Sequence, residues 1–244
     1  MMPSNRNHDY LYISDDRYFL SPKFTSEQFV NLLNEISFES NFNSLWDIGC
    51  GNGALLNFLH TKFPKSNLYG SDIIEKSLEV AKKNSDKSIK YFLDDITREN
   101  TSGLLSDVIV SVGVFQIFEE IEKILYQYIS RVKQKGYVFI QGPLNKYSVD
   151  VLIKYRDNQN TKTGKIDQVG WNIWSIDYLE KLFSEINEIK EYEFIPVNFP
   201  KNLNVEFDQK DTIRSWTADL NGENKFMNGI VVQDHFFIKL KIDK

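Results

Sequence analysis

Residues 44–60, Ser-Leu-Trp-Asp-Ile-Gly-Cys-Gly-Asn-Gly-Ala-Leu-Leu-Asn-Phe-Leu-His, change their hydrophobic period halfway along. Up to Gly49 the run reads as a short buried strand. From Ala54 to Lys62, Leu55, Leu56, Phe58 and Leu59 recur around a helix that Phe63-Pro64 ends. Between the two lies Asp47-Ile48-Gly49-Cys50-Gly51-Asn52-Gly53. Glycines let a backbone turn sharply and approach a ligand more closely than a Cβ permits, and the first amides of the following helix offer donors to negative groups. Asp47, at the strand end, is an acid that a phosphate site would not want. It suits the ammonium of an amino-acid moiety, or it fixes the glycine turn through its amides.

Working outward, short apolar runs alternate with amphipathic stretches. Strands are expected at 67–72, 89–94, 107–113 and 137–142, with helices at Ser77–Asn84 and Ile117–Lys133 and a turn at Gly136. This is the pattern of a doubly wound α/β sheet covered by helices on both faces. Upstream, Thr25–Ile36 reads as a helix with Phe29, Leu32, Leu33 and Ile36 on one face, capped by Thr25 or Ser26. Downstream, Tyr147–Arg156 reads as a helix, 158–170 as a polar mobile loop and Ser175–Ile186 as a capped helix. Residues 191–199 read as a strand and 228–242 as one long final strand. With no repeat or low-complexity linker, the whole of 1–244 is expected to be a single domain. It divides into an N-terminal lid or helical segment (1–40), a cofactor-binding core (41–142), a substrate-side insertion (143–190) and C-terminal strands (191–244).

Two further acids close strands. Asp72 ends the second, where a carboxylate accepts from the vicinal hydroxyls of a ribose; Asp94-Asp95-Ile96 follows the third, where an acid accepts from an adenine amine and an apolar neighbour packs on the base. One acid at a strand end is more often a solvated turn residue; three in this order reinforce one another. Gly49-x-Gly51-x-x-Ala54 also fits a dinucleotide fingerprint, so an NAD(P)-dependent oxidoreductase is the enzymatic alternative. Against it, the sheet ends in a long hairpin and no Tyr-x-x-x-Lys pair lies in a suitable helix. A non-catalytic cofactor-binding subunit of a larger complex is the non-enzymatic alternative.

DIGCGNG, then GSD, LDD and VIVSVGVFQIF, over about residues 40–142, resembles the motif order of class I S-adenosylmethionine-dependent methyltransferases of small-molecule type. The resemblance implies a mostly parallel seven-stranded sheet with an antiparallel C-terminal hairpin. It also implies S-adenosyl-L-methionine as cofactor, with S-adenosyl-L-homocysteine as product. Carried over by position, Asp47, Gly49, Cys50, Gly51 and Gly53 face the methionine part, Asp72 and Ile73 the ribose, and Asp95 and Ile96 the adenine. Asp95 is preferred to Asp94 because family members place this acid two positions beyond the strand's apolar run. Val112, Val114 and Phe115 line the pocket, and Phe115 also stands with Tyr18, Gln116, Trp171, Trp174 and Arg214 as acceptor-side candidates. The chain departs from the family in having Gln116-Ile117 where many members carry paired histidines, and it lacks the Asn/Asp-Pro-Pro-Tyr run of enzymes that methylate base amines. No catalytic base is therefore assigned. Methyl transfer to an O or N atom of a small molecule is implied, by in-line displacement, which needs alignment and water exclusion more than a strong base.

Composition narrows the partners. A net charge of −5 with scattered lysines argues against nucleic acid. No apolar run long enough for a bilayer and no secretory leader occurs, so no membrane and a cytoplasmic location are expected. The single cysteine, Cys50, excludes an internal disulfide, and no metal site is expected. A monomer or homodimer is expected. Tyr10, Tyr12, Tyr18, Phe19, Trp171, Trp174 and Tyr178 are aromatics suited to covering a planar acceptor, and His235 beside Asp234 is a candidate tuned pair.

Overall fold

The computed structural model describes residues 21–40, 42–100, 102–155, 168–198, 215–220, 222–228 and 231–244, together with Ile13 and Phe19. Tyr10, Tyr12, Tyr18, Arg214 and residues 158–167 of the expected loop lie outside the described residues.

Each of the core strands has two apolar faces, and this is what places it mid-sheet. In β1 (Ser44–Ile48), Leu45 packs with one core cluster and Trp46 with the other. Val108 and Val110 alternate with Ile109 in the same way in β4 (Ser106–Val112), as do Tyr137 and Phe139 with Val138 and Ile140 in β5 (Val132–Asn145). The first cluster lies under α1 (Phe24–Ser40), α2 (Ala54–Lys62) and α3 (Glu75–Asn84), with Phe29 stacked on Phe237 and edge-on to Phe139. The second lies under α4 (Ile121–Arg131) and α5 (Ile176–Glu185).

β2 (Asn67–Asp72) and β4 flank β1 in parallel, β3 (Lys90–Leu93) adds beyond β2, and β5 adds beyond β4. β12 (Val231–Ile242) then runs antiparallel between β5 and β9 (Ile189–Pro196). The seven strands β3-β2-β1-β4-β5-β12-β9 are the expected sheet. The whole sheet has ten strands, because β8 (Trp174–Ser175) joins β5, and β10 (Ser215–Leu220) with β11 (Glu223–Asn228) extends β12. The direction of the strand order reverses at β1, so the crevice at the carboxyl ends of β1 and β4 is where an open α/β sheet takes a ligand.

Four expectations need correction. The described residues 147–155 contain no helix: Val151 bridges Ile173, and β6 (Lys154–Tyr155) pairs with β7 (Gln168–Val169). The final strand begins at Val231, since Asn228 belongs to β11. α1 starts at Phe24, so Thr25 and Ser26 are inside it and do not cap it. α4 begins at Ile121, because Phe115–Ile117 forms a separate 3-10 turn. The α5 cap is as expected, with Ser175 Oγ accepting from the Tyr178 amide.

Candidate active site

The turn leaving β1 is laid over the end of β2. The amides of Gly49 and Cys50 both donate to the Ser71 carbonyl, at 2.7 and 2.9 Å, and the Gly51 amide donates to Asp72 Oδ2 at 2.9 Å. Its glycines serve different ends. A Cβ on Gly49 would stand 2.2 Å from Val114 Cγ2, which puts the β4 end hard against the turn. Gly53 has φ +83°, and a Cβ there would meet Tyr91 Oη at 2.5 Å and Ala81 Cβ at 2.9 Å. Gly51 has φ +54° but nothing within 4 Å of where its Cβ would lie. That side of the turn is a cradle that a side chain would fill and that a ligand can enter.

Three carboxylates stand in a row along the strand ends. Asp47 is 2% exposed, and its Oδ1 accepts no hydrogen bond. Burial, and then repulsion from Asp72, push its carboxyl up to about 7. A buried acid in that state is short of a cation or a donor. Asp72 accepts from the Gly51 amide through Oδ2 and from the Ile74 amide through Oδ1 at 2.8 Å.

The two acids after β3 point to different partners. Asp94 is paired with the buried Arg131 at 3.4 Å and turned toward α4. Asp95 Oδ1 accepts from the Thr97 amide at 3.0 Å and the Thr97 hydroxyl at 2.7 Å. Its Oδ2 accepts no hydrogen bond, although the exposed Arg98 Nε stands 3.1 Å away as an ion pair. Ile96 is buried beside it, and Ile73 is exposed after β2. The Cys50 thiol is buried and pushed well up by that burial and by Asp47 and Asp72; it contributes backbone here, not a reactive thiolate.

On the acceptor side, the residues after β4 divide. Val112 and Val114 are part-buried against the two core clusters at the β4 end, whereas Phe115 is fully buried and points at Tyr128, so it belongs to the core and not to the pocket wall. Trp174 is likewise core, packed on Tyr178. Gln116 is fully buried over Gly142, with neither amide atom hydrogen-bonded. Trp171 Nε1 donates to the Gly113 carbonyl at 3.0 Å, which pins the segment after β7 across the β4 end. Asn172, which sequence reasoning missed, locks that pin. Its amide donates to the Gln116 carbonyl and its side chain donates to the Phe118 carbonyl and accepts from the Ile153 amide, all at 2.8–3.0 Å. His235 does not pair with Asp234. Asp234 takes Lys225 and Lys146, while His235 Nδ1 lies 3.5 Å from Gln141 Nε2 and is held neutral by burial, its pKa lowered to about 3.

A family model described as a methyltransferase domain matches residues 46–138, the segment that carries the glycine turn and the three acids. A malonyl-[acyl-carrier protein] O-methyltransferase of Halalkalibacterium halodurans is 32% identical over 145 residues, covering 57% of this chain and 51% of that protein. The chain spans about half the length of the curated relatives it matches. Among solved structures, the plantazolicin methyltransferase BpumL, in complex with a monoazolic desmethylPZN analog and SAH, aligns with a TM-score of 0.59 at 16% identity. That alignment covers 99% of this chain and 91% of that one. The N-methyltransferase NodS of Bradyrhizobium japonicum, in complex with S-adenosyl-l-homocysteine, aligns with a TM-score of 0.58 at 13% identity, covering 98% of both chains. At those identities the two structures speak for the fold. Residues 46–138 thus match a methyltransferase domain, and in motif order and sheet topology the chain is similar to the class I S-adenosylmethionine-dependent methyltransferases.

Proposed function

We propose that this chain transfers the methyl group of S-adenosylmethionine to an oxygen or nitrogen atom of a small-molecule acceptor. The observation that carries the reading is the row of acids at the ends of β1, β2 and β3 around an open glycine cradle, with Asp47 Oδ1 buried and unsatisfied at one end and Asp95 Oδ2 accepting no hydrogen bond at the other. These groups suit the cofactor. Asp47 would take its ammonium, the turn at Gly49–Gly53 its amino-acid chain, Asp72 its ribose hydroxyls, and Asp95 with Ile96 its adenine. When bound, the cofactor supplies an electrophilic methyl on a sulfonium sulfur.

What the residues of the chain do is hold and exclude. Val114 borders the turn, and Trp171 and Asn172 close the chain over the β4 end, where water would otherwise compete with the acceptor. His235, half-buried beside Gln141 and held neutral by desolvation, is a poor proton acceptor in the physiological range. In-line displacement at a sulfonium methyl suits acceptors that need no strong base, such as a carboxylate or an already neutral amine. The O-methyltransferase name of the matched relatives supports oxygen, and makes acyl groups on a carrier protein the first class to try. Incubating the protein with methyl-labelled S-adenosylmethionine and a panel of carrier-bound acyl groups, free carboxylic acids and amines tests this. Label in one acceptor class is expected; label in none while the cofactor binds would favour the non-catalytic subunit.

A further inference from the structure

We infer that Arg131 is a positioning residue that sets the turn over residues 94–98 so that Asp95 meets the exocyclic amine of the cofactor's adenine; the inference rests on the cofactor reading above. Arg131 closes α4 and is 0% exposed. Its Nη2 reaches both carboxylate oxygens of Asp94 at 3.4 Å and the Arg98 carbonyl at 3.1 Å. One rigid group thus ties down both ends of the turn that contains Asp95 and Ile96. Its Nη1 is braced by Gln127, through the backbone carbonyl at 3.1 Å and the side-chain oxygen at 2.8 Å. The guanidinium also lies 5.7 Å from the centroid of the Trp46 ring, whose Nε1 donates to Ser71 Oγ at 2.8 Å.

A buried guanidinium is unfavourable unless paired, and an apolar side chain would fill the same volume. What the charge adds is geometry, because a planar fork of donors fixes two acceptors relative to one another as a lysine ammonium does not. The turn is also tied to the ribose side, since the Asp94 amide donates to the Asp72 carbonyl at 3.1 Å. Arg131 therefore controls the spacing between Asp72 and Asp95, the two groups that would hold the ribose and the base. Within the clamped turn, the Asp95 carboxylate is oriented by Thr97, and its Oδ2 accepts no hydrogen bond and has the exposed side chain of Arg98 beside it as an ion pair.

The test compares S-adenosylhomocysteine with S-inosylhomocysteine, whose base carries an oxo group in place of the amine, by calorimetric titration of the intact protein. Wild type, Arg131→Lys, Asp95→Asn and the double variant are titrated with each. Arg131→Lys is expected to weaken S-adenosylhomocysteine by roughly tenfold and the inosine analogue by less than about twofold, with the double variant no weaker than Asp95→Asn alone. Equal loss for both nucleosides, or additive losses in the double variant, would show that Arg131 only supports the fold and would overturn the proposal. If Arg131→Lys does not fold, Asp94→Asn breaks the same clamp from its other side and is read by the same comparison. Failure of the wild type to bind S-adenosylhomocysteine is a different result, which removes the cofactor reading and this proposal with it.

Discussion

Gly51 and Asp72 are joined by a 2.9 Å hydrogen bond from the backbone amide of the glycine turn to the carboxylate that closes β2. Through it, the group that would hold the ribose also fixes the loop that would hold the amino-acid chain. The Ile74 amide on the other carboxylate oxygen completes the brace. Asp72→Ala should therefore lose ligand contacts and loop order together. S-adenosylhomocysteine affinity is expected to fall by about 100-fold, against a loss of roughly 1–3 kcal/mol of stability for the two amides left without their acceptor. Calorimetry and thermal melts measure the two effects separately, and unchanged affinity would remove Asp72 from the ribose site.

The glycines predict a separation of stability from binding. Gly53→Ala must push a methyl into Tyr91 Oη and Ala81 Cβ, in a backbone already at positive φ, so its melting temperature should fall sharply. Gly51→Ala meets no protein atom and should cost only about 1 kcal/mol of strain, yet it fills the cradle and should weaken the cofactor by tenfold or more, about 1.4 kcal/mol. The reverse ranking in melting and titration would mean that the open side of the turn does not face the ligand.

Asp47 predicts a pH signature. Its folded pKa, raised to about 7 from an ordinary value of 3.8, means that the folded state holds a proton that the unfolded chain has released. Without ligand, its contribution to stability is fully present below about pH 4 and declines as pH rises to about 7, by up to ~1.4 kcal/mol per unit. Asp47→Asn should remove that slope. Cofactor binding runs the opposite way. The ammonium selects the ionised carboxylate, so affinity should fall by up to about tenfold per unit as pH drops below 7 in wild type, and stay nearly flat in Asp47→Asn. Equal pH profiles for the two proteins would show that Asp47 does not face the ammonium.

Much of the fold was legible because strands such as 44–48, 106–112 and 137–140 bury both faces, and a continuous apolar run bounded by turns has few other readings. The stretch from Tyr147 misled because its apolar spacing also suits a helix. Its structure comes from Val151 bridging Ile173 and from β6 pairing with β7, partners that no local period can announce. The site divides in the same way. The glycines, Asp47, Asp72 and Asp95 lie in short motifs at strand ends, where the spacing itself carries the chemistry. Arg131 and Asn172 act on residues 37 and 54 positions away, and Phe115 and Trp174 turn inward for reasons of packing that an aromatic in a sequence does not reveal.

The most direct test of the central claim is a calorimetric titration of the purified protein with S-adenosylmethionine and S-adenosylhomocysteine, run beside NAD and NADP. The row of acids around the open glycine turn predicts saturable one-to-one binding of the two sulfur nucleosides and none of the nicotinamide cofactors. Binding of NAD or NADP alone would contradict it, and would reassign the glycine turn to a dinucleotide.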